Sequence, residues 1–303
     1  MSITAPSPNP HPPATRASDH AATHARPIET TRPQRRKSWH GSGSALCAWI
    51  VFALLYLPLL AVVAMSLNAA THGLQWEGFT LGWYRKLVND PLILQAARNT
   101  VVLGVCSTAI ATILGTLLGY GLNRRRDRGI DGGSLIDSLL QIPVFIPDIV
   151  MAAALLLFYA CVRKWTGLFQ LGMTTMIVSH VTFQIPFVAM VVRARLEGMD
   201  PSLAEAAADL GCSPRQTFWH VTLPLAMPGI LAGALLAFTL SLDDFVVSFF
   251  TSGPGSATLP IHIYASVKRG LSPEIHALAT LLFLASILAT LGLMRVRPNA
   301  RGH

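Results

Sequence analysis

Six apolar runs separated by polar stretches dominate the chain: residues 45–67, 97–122, 138–162, 173–193, 226–250 and 276–294. Each is near the roughly 20 residues that an α-helix needs to cross the hydrocarbon of a bilayer. The pattern predicts an all-α membrane protein with six transmembrane helices.

One polar stretch between two of these runs carries signals of its own. Glu205 to Pro224 reads EAAADLGCSPRQTFWHVTLP. Just ahead of it, Asp200-Pro201 pairs a side-chain cap with a residue that needs no donor at a first helical position. Leu203 to Leu210 is rich in helix formers, and Gly211 supplies the left-handed residue that ends many helices. Ser213, Pro214 and Gln216 then restart a helix, with Ser213 and Gln216 spaced as a capping box. The expected structure is helix, Gly turn, helix. A DNA-binding helix-turn-helix has this outline, but membrane spans on both sides and few basic residues argue against it.

Composition supports membrane residence. Of 303 residues, 52% are hydrophobic and 13% charged, and the mean hydropathy is +0.49. A soluble domain carries about 25% charged residues. The net charge of +8 is concentrated in alternate loops. Arg16, Arg26, Arg32, Arg35, Arg36 and Lys37 precede the first run, and Arg124, Arg125, Arg126 and Arg128 follow the second. Arg193, Arg195 and Arg215 flank the Glu205 loop, and Arg295, Arg297 and Arg301 close the chain. The other loops hold only pairs. The positive-inside rule therefore predicts that both termini and the Glu205 loop are cytoplasmic. Nucleic-acid binding is not needed to explain the charge. Cys47, Cys106, Cys161 and Cys212 are scattered, with no metal or disulfide spacing.

Three segments are expected: a disordered, Pro- and Ser-rich tail at 1–44, a permease domain at 45–297 with a coupling loop at 196–225, and a short tail at 298–303. The first is too long, and lacks the cleavage site, for a secretory signal.

The spacing Glu205-Ala206-Ala207, three residues, Gly211, nine residues, Val221-x-Leu223-Pro224 resembles the EAA motif of permease subunits in bacterial ABC importers. Val221 stands where that family usually has Ile. The resemblance implies a type I ABC importer permease fold, with Glu205, Ala206, Ala207, Gly211, Leu223 and Pro224 forming a cytoplasmic coupling helix and its frame. That helix would dock on a separate ATPase subunit. No GxxxxGK[ST] phosphate loop occurs in the chain, so ATP and Mg are expected on the partner and no enzyme activity or cofactor on this chain.

Ionisable residues inside spans are costly and mark bundle interiors or aqueous paths. Asp148 lies in the third run, and Asp243 and Asp244 lie in the fifth. Asp148 reads either as the cap of a helix broken by Pro143 and Pro147 or as a pathway carboxylate. Successive helical residues point about 100° apart, so Asp243 and Asp244 are expected to divide between a pathway and a structural role. Gln184, beside Pro186 in the fourth run, reads as a pathway residue or as a helix–helix hydrogen bond. His180 reads as a packed histidine. Three acids with no basic residue clearly inside a span suit a cationic solute.

SLDDFVVS, SGPGSATLP and VKRGLSPEIHALATL, at 241–248, 252–260 and 267–281, resemble the spermidine/putrescine importer permeases. The resemblance runs from about Trp39 to the last span. It implies a heterodimer with a second permease subunit, two ATP-binding subunits and a periplasmic polyamine-binding protein, in the inner membrane. Two alternatives stand beside it: the same machine for another solute such as ferric iron or thiamine, and an ion-coupled secondary transporter. The latter often carries inverted repeats, and no internal repeat is visible.

Overall fold

A computed structural model describes residues 42–70, 75–127, 133–270 and 272–296. The tail expected at 1–44 lies almost wholly outside the described residues, and the tail at 298–303 lies wholly outside them. The described chain is helical, with one isolated antiparallel bridge, Asn68 to Phe79. In order the helices are α1 (Ser42–Ser66), α2 (Gly82–Asn89), α3 (Pro91–Asp127), α4 (Gly133–Phe145), α5 (Asp148–Thr166) and α6 (Met173–Glu197). Then come α7 (Ser202–Asp209), α8 (Pro214–Thr217), α9 (Leu223–Asp243), α10 (Val246–Thr251), α11 (Leu259–Arg269) and α12 (Pro273–Val296).

Among the described residues, five helices are long and apolar enough to cross a membrane: Ala45–Ser66, Pro91–Arg124, Asp148–Thr166, Met173–Glu197 and Pro214–Asp243. A sixth apolar stretch, Pro273–Leu288, lies within α12. These follow the six expected runs in order. The first has the highest mean hydropathy, 2.6, and its apolar residues lie on every side, as befits a helix surrounded by lipid or protein.

The centre of the bundle is formed by α3, α6 and α9. Val188, Val192 and Leu196 of α6 pack on Ala226, Ile230 and Ala237 of α9. Gly115 and Gly119 let α3 approach α6 closely. A Cβ on Gly115 would come 2.7 Å from Val188 Cβ, and one on Gly119 would come 2.7 Å from the Ala189 carbonyl oxygen. Small residues four apart serve this purpose in membranes, where close packing replaces the hydrophobic drive of water.

Two expected spans differ from a simple helix. The run 138–162 is broken at Ile146-Pro147: α4 ends at Phe145, Pro147 has ψ 135°, and Asp148 opens α5. Proline lacks the N–H that would continue the helix. The run 226–250 is broken at Asp244, whose backbone is extended at φ −65°, ψ 122°. Its carboxylate bonds the chain instead, Oδ1 accepting from Val247 N at 3.2 Å and Oδ2 from Ser248 N at 2.8 Å. A side chain that satisfies nearby amides offers the backbone an alternative to the helix ladder. The break turns the chain into α10.

The polar side of the fifth span also differs. Helices α8 and α9 are joined by one wide π turn, Phe218–Thr222, in which Leu223 N bonds the Phe218 carbonyl. Pro224 follows at once. Proline in a regular helix collides with the carbonyl four residues earlier, and the wide turn relieves that crowding. Residues 214–243 therefore form one uninterrupted helical rod.

Candidate functional site

Two places in the fold gather the residues singled out by sequence. The first is the polar loop between α6 and α9. Asp200 Oδ1 accepts from Ser202 N at 3.0 Å. The Ser202 amide and hydroxyl hold the Asp200 carboxyl below its ordinary range. Helix α7 ends in a Schellman arrangement: Cys212 N bonds Ala207 O at 3.0 Å, and Gly211 N bonds Ala208 O at 2.9 Å. Gly211 has φ +82°, a conformation costing side-chain-bearing residues about 1–2 kcal/mol. Ser213 and Gln216 form the expected capping box, with Ser213 N donating to Gln216 Oε1 at 2.8 Å and Gln216 N to Ser213 Oγ at 3.4 Å.

The motif residues do not share one surface. Glu205 and Ala206 are exposed on α7, whereas Ala207 is its one buried residue and faces the loop interior. Leu210 is 85% exposed, so α7 presents an apolar end beside Glu205. Leu223 is half-buried against the α6–α9 core, and Pro224 is exposed. Arg195 Nε donates to the Leu225 carbonyl at 3.1 Å, tying α6 to the base of α9. Behind α7 lies a cavity of about 640 Å³, lined by Tyr120, Arg124, Glu197, Asp200 and Cys212 among others. The loop is thus a self-capped unit that borders an open cleft and is tied to the bundle through Leu223 and Arg195.

The second place is a recess of about 330 Å³ where α4, α5, α6 and the α9–α10 break meet. Asp148, Asp243 and Asp244 all line it, together with Phe183, Phe187 and Phe245. Asp148 and Asp243 are exposed, while the Asp244 side chain retains 11% of its accessible surface. The helix breaks are what bring the acids together. Asp148 stands at the first residue of α5, and Asp243 at the last of α9.

Gln184 is fully buried on the adjoining face of α6. Its Nε2 donates to the Ala237 carbonyl of α9 at 3.1 Å and to Ser107 Oγ of α3 at 3.3 Å. His180, one turn earlier, is also fully buried. Its Nδ1 lies 2.8 Å from Ser241 Oγ, and its Nε2 lies 3.0 Å from Ser248 Oγ and 3.3 Å from Asp244 Oδ2. Sequence reasoning passed over Phe183, Phe187, Ser241 and Ser248. The usable signal was periodicity: His180 with Gln184 and Phe183 with Phe187 are two pairs four residues apart, so each pair shares a face.

Residues 111–297 match the family described as "Binding-protein-dependent transport system inner membrane component". The chain belongs to this family. Among its curated relatives, the spermidine/putrescine transport system permease protein PotC of Escherichia coli (strain K12) is 41% identical over 254 residues, 84% of this chain and 93% of that protein. The putrescine transport system permease protein PotI of the same strain is 40% identical over 233 residues, 76% and 82% of the two chains. A solved bacterial ABC transporter that imports alginate has a chain that superposes with a TM-score of 0.66 at 16% identity, covering 85% of this chain and 96% of its own. The MetNI methionine transporter gives 0.56 at 20% identity, covering 65% and 90%. The chain therefore has the permease fold of ABC importers.

Proposed function

We propose that this chain is the permease subunit of an ATP-driven importer that passes putrescine or spermidine across the inner membrane. The observation that carries the reading is the convergence of Asp148, Asp243 and Asp244 in one recess with three phenylalanine rings. Carboxylates replace part of the water that an ammonium sheds on entering a narrow passage, and such charge-assisted bonds are the strong ones. Aromatic faces attract the same cation. Among the described residues, the recess has no lysine or arginine in its lining, which disfavours an anionic solute. The names of the relatives PotC and PotI point to the same class of cargo.

The chain contributes the passage, and ATP and Mg belong to two separate ATP-binding subunits. Glu205, Ala206 and the exposed end of α7 form the docking surface for one of them. Gly211 makes the turn that lets α7 stand free, and Leu223 and Pro224 seat the loop on α9. A second permease subunit completes the passage, and a periplasmic binding protein delivers the amine. Both termini face the cytoplasm with the loop, as the distribution of Lys and Arg supports.

The test is uptake of labelled putrescine and spermidine by the assembled complex. Uptake that requires ATP, and stops when ATP is removed from vesicles holding a proton gradient, is the expected result. Uptake that persists on the gradient alone would make the protein a secondary transporter.

A further inference from the structure

Asp243 belongs to two cavities. Besides the recess, it lines a groove of about 680 Å³ formed by α9, α11 and α12. Phe245 lines both as well, so the helix break that follows Asp243 is the wall the two share. The groove is apolar along Leu242, Ile263, Val267 and Leu282. Its two hydroxyl side chains bond their own helices: Thr239 Oγ1 donates to the Leu235 carbonyl at 2.9 Å, and Ser286 Oγ to the Phe283 carbonyl at 2.8 Å. Among the described residues, Asp243 is the one charged member of the lining.

Tyr264 of α11 lines the same groove within a cluster of aromatic rings. Its centroid lies 4.6 Å from that of Phe245 and 5.9 Å from that of Phe249. Lys268, one turn further along α11, places its Nζ over the Tyr264 ring, 5.1 Å from the centroid. That group is an ammonium on a four-carbon stem, the same chemistry as the end of putrescine. The ring thus already holds an ammonium supplied by the chain itself. Lys268 is exposed, and exposed contacts of this kind are weak, so an ammonium from a ligand can displace it.

We propose that this groove is a second seat for a linear polyamine: with one ammonium at Asp243, the alkyl chain lies along the apolar wall and a further ammonium takes the Tyr264 face that Lys268 covers. This rests on the reading of the recess as the passage of a cation. The groove matches the alternation of the cargo, with a carboxylate for one charge, aliphatic side chains for methylenes and an aromatic face for the next charge. A lipid chain or an apolar helix face would leave the Asp243 carboxylate without a counter-charge in the membrane, which is costly. Putrescine can set both its ammoniums near the recess, whereas spermidine has a longer chain and a third ammonium to place. The groove therefore acts on chain length, and Tyr264 and Val267 are specificity-determining residues.

The assembled importer in proteoliposomes, with saturating binding protein and ATP, tests this with labelled putrescine and spermidine as probes. The quantity read is the apparent KM for spermidine divided by that for putrescine. The binding protein is common to every complex, so its own preference cancels when variants are compared with wild type. Val267→Trp fills the groove from an exposed position and should raise the ratio at least about tenfold, the low end of discrimination by an apolar pocket. Tyr264→Leu keeps an apolar side chain without a ring and should raise it about two- to fivefold, the scale of an exposed cation–π contact. Tyr264→Phe keeps the ring and should hold the ratio within about twofold of wild type. Lys268→Gln frees the ring and should lower the ratio by about twofold or more. A wild-type ratio in both V267W and Y264L overturns the inference while leaving the polyamine reading intact. Loss of the second permease subunit from V267W, with a wild-type ratio in Y264L, assigns the groove to that subunit and overturns the inference as well. Where V267W does not assemble, Y264L against Y264F decides. A wild-type complex that takes up neither amine defeats the polyamine reading itself, and the inference with it.

Discussion

Gln184 on α6 and Ala237 on α9 are joined by a hydrogen bond of 3.1 Å in the fully buried centre of the bundle. The residue that sequence left open between lining a path and joining helices is placed by geometry between helices. Gln184→Met should lower the thermal stability of the complex in detergent, by about 0.6–1.7 kcal/mol on the scale of interhelical bonds in membranes. Uptake per assembled complex should change by less than about twofold on that scale. A large loss of uptake with stability preserved would put the side chain on the solute's route.

The two exposed acids of the recess should behave differently from the bulk of the span. Asp148→Asn and Asp243→Asn each remove one charge-assisted contact, a class worth about 1.5–3 kcal/mol. The apparent KM for the amine should rise by about tenfold or more in each, with normal amounts of complex recovered from the membrane. Unchanged uptake in both single variants and the double variant would remove these acids from the passage.

The coupling loop makes a separate expectation. Glu205→Lys reverses the charge on the exposed face of α7 without touching a buried contact. Gly211→Pro removes the amide that bonds Ala208 and cannot adopt φ +82°. Both variants should reach the membrane in normal amount and lose the ATPase on co-purification. Gly211→Ala should be milder, costing about 1–2 kcal/mol of local stability. Full co-purification of the ATPase with Glu205→Lys and Gly211→Pro would place the docking surface elsewhere.

The start of α7 should respond to acid in one direction only. The Ser202 contacts lower the Asp200 carboxyl below its ordinary value of 3.8. A carboxyl depressed in the folded state adds stability that is complete above the unfolded value and lost as pH falls through the folded one. Amide exchange at Ser202 should therefore stay protected down to about pH 4 and loosen only below it. Asp200→Asn should remove that acid limb. An acid limb that survives the substitution assigns it to another group.

The spans and the loop were readable because their signals are local. Apolar run lengths marked the helices, and Gly211 and the Ser213–Gln216 pair marked the turn and cap that the structure contains. The recess was not readable in the same way. Its form depends on Pro147 ending one helix and on Asp244 bonding its own chain, and Asp244 is also held by His180, 64 residues earlier in sequence. No periodicity within the fifth run distinguishes a continuous helix from one broken there. Ala206 and Ala207 share a motif but not a face, because a 100° step per residue separates neighbours on any helix.

In the proposed importer, the single helix running from Pro214 to Asp243 would act as a lever. It has 30 residues, about 45 Å at 1.5 Å per residue. One end is rooted in the loop proposed to meet the ATPase, and the other ends on a recess acid. A tilt of roughly 5° about one end carries the other through roughly 4 Å, more than the length of a hydrogen bond. Under the proposed function, a small stroke at the loop end would be enough to move Asp243 by more than the reach of a hydrogen bond, without any side chain in the recess changing its own conformation.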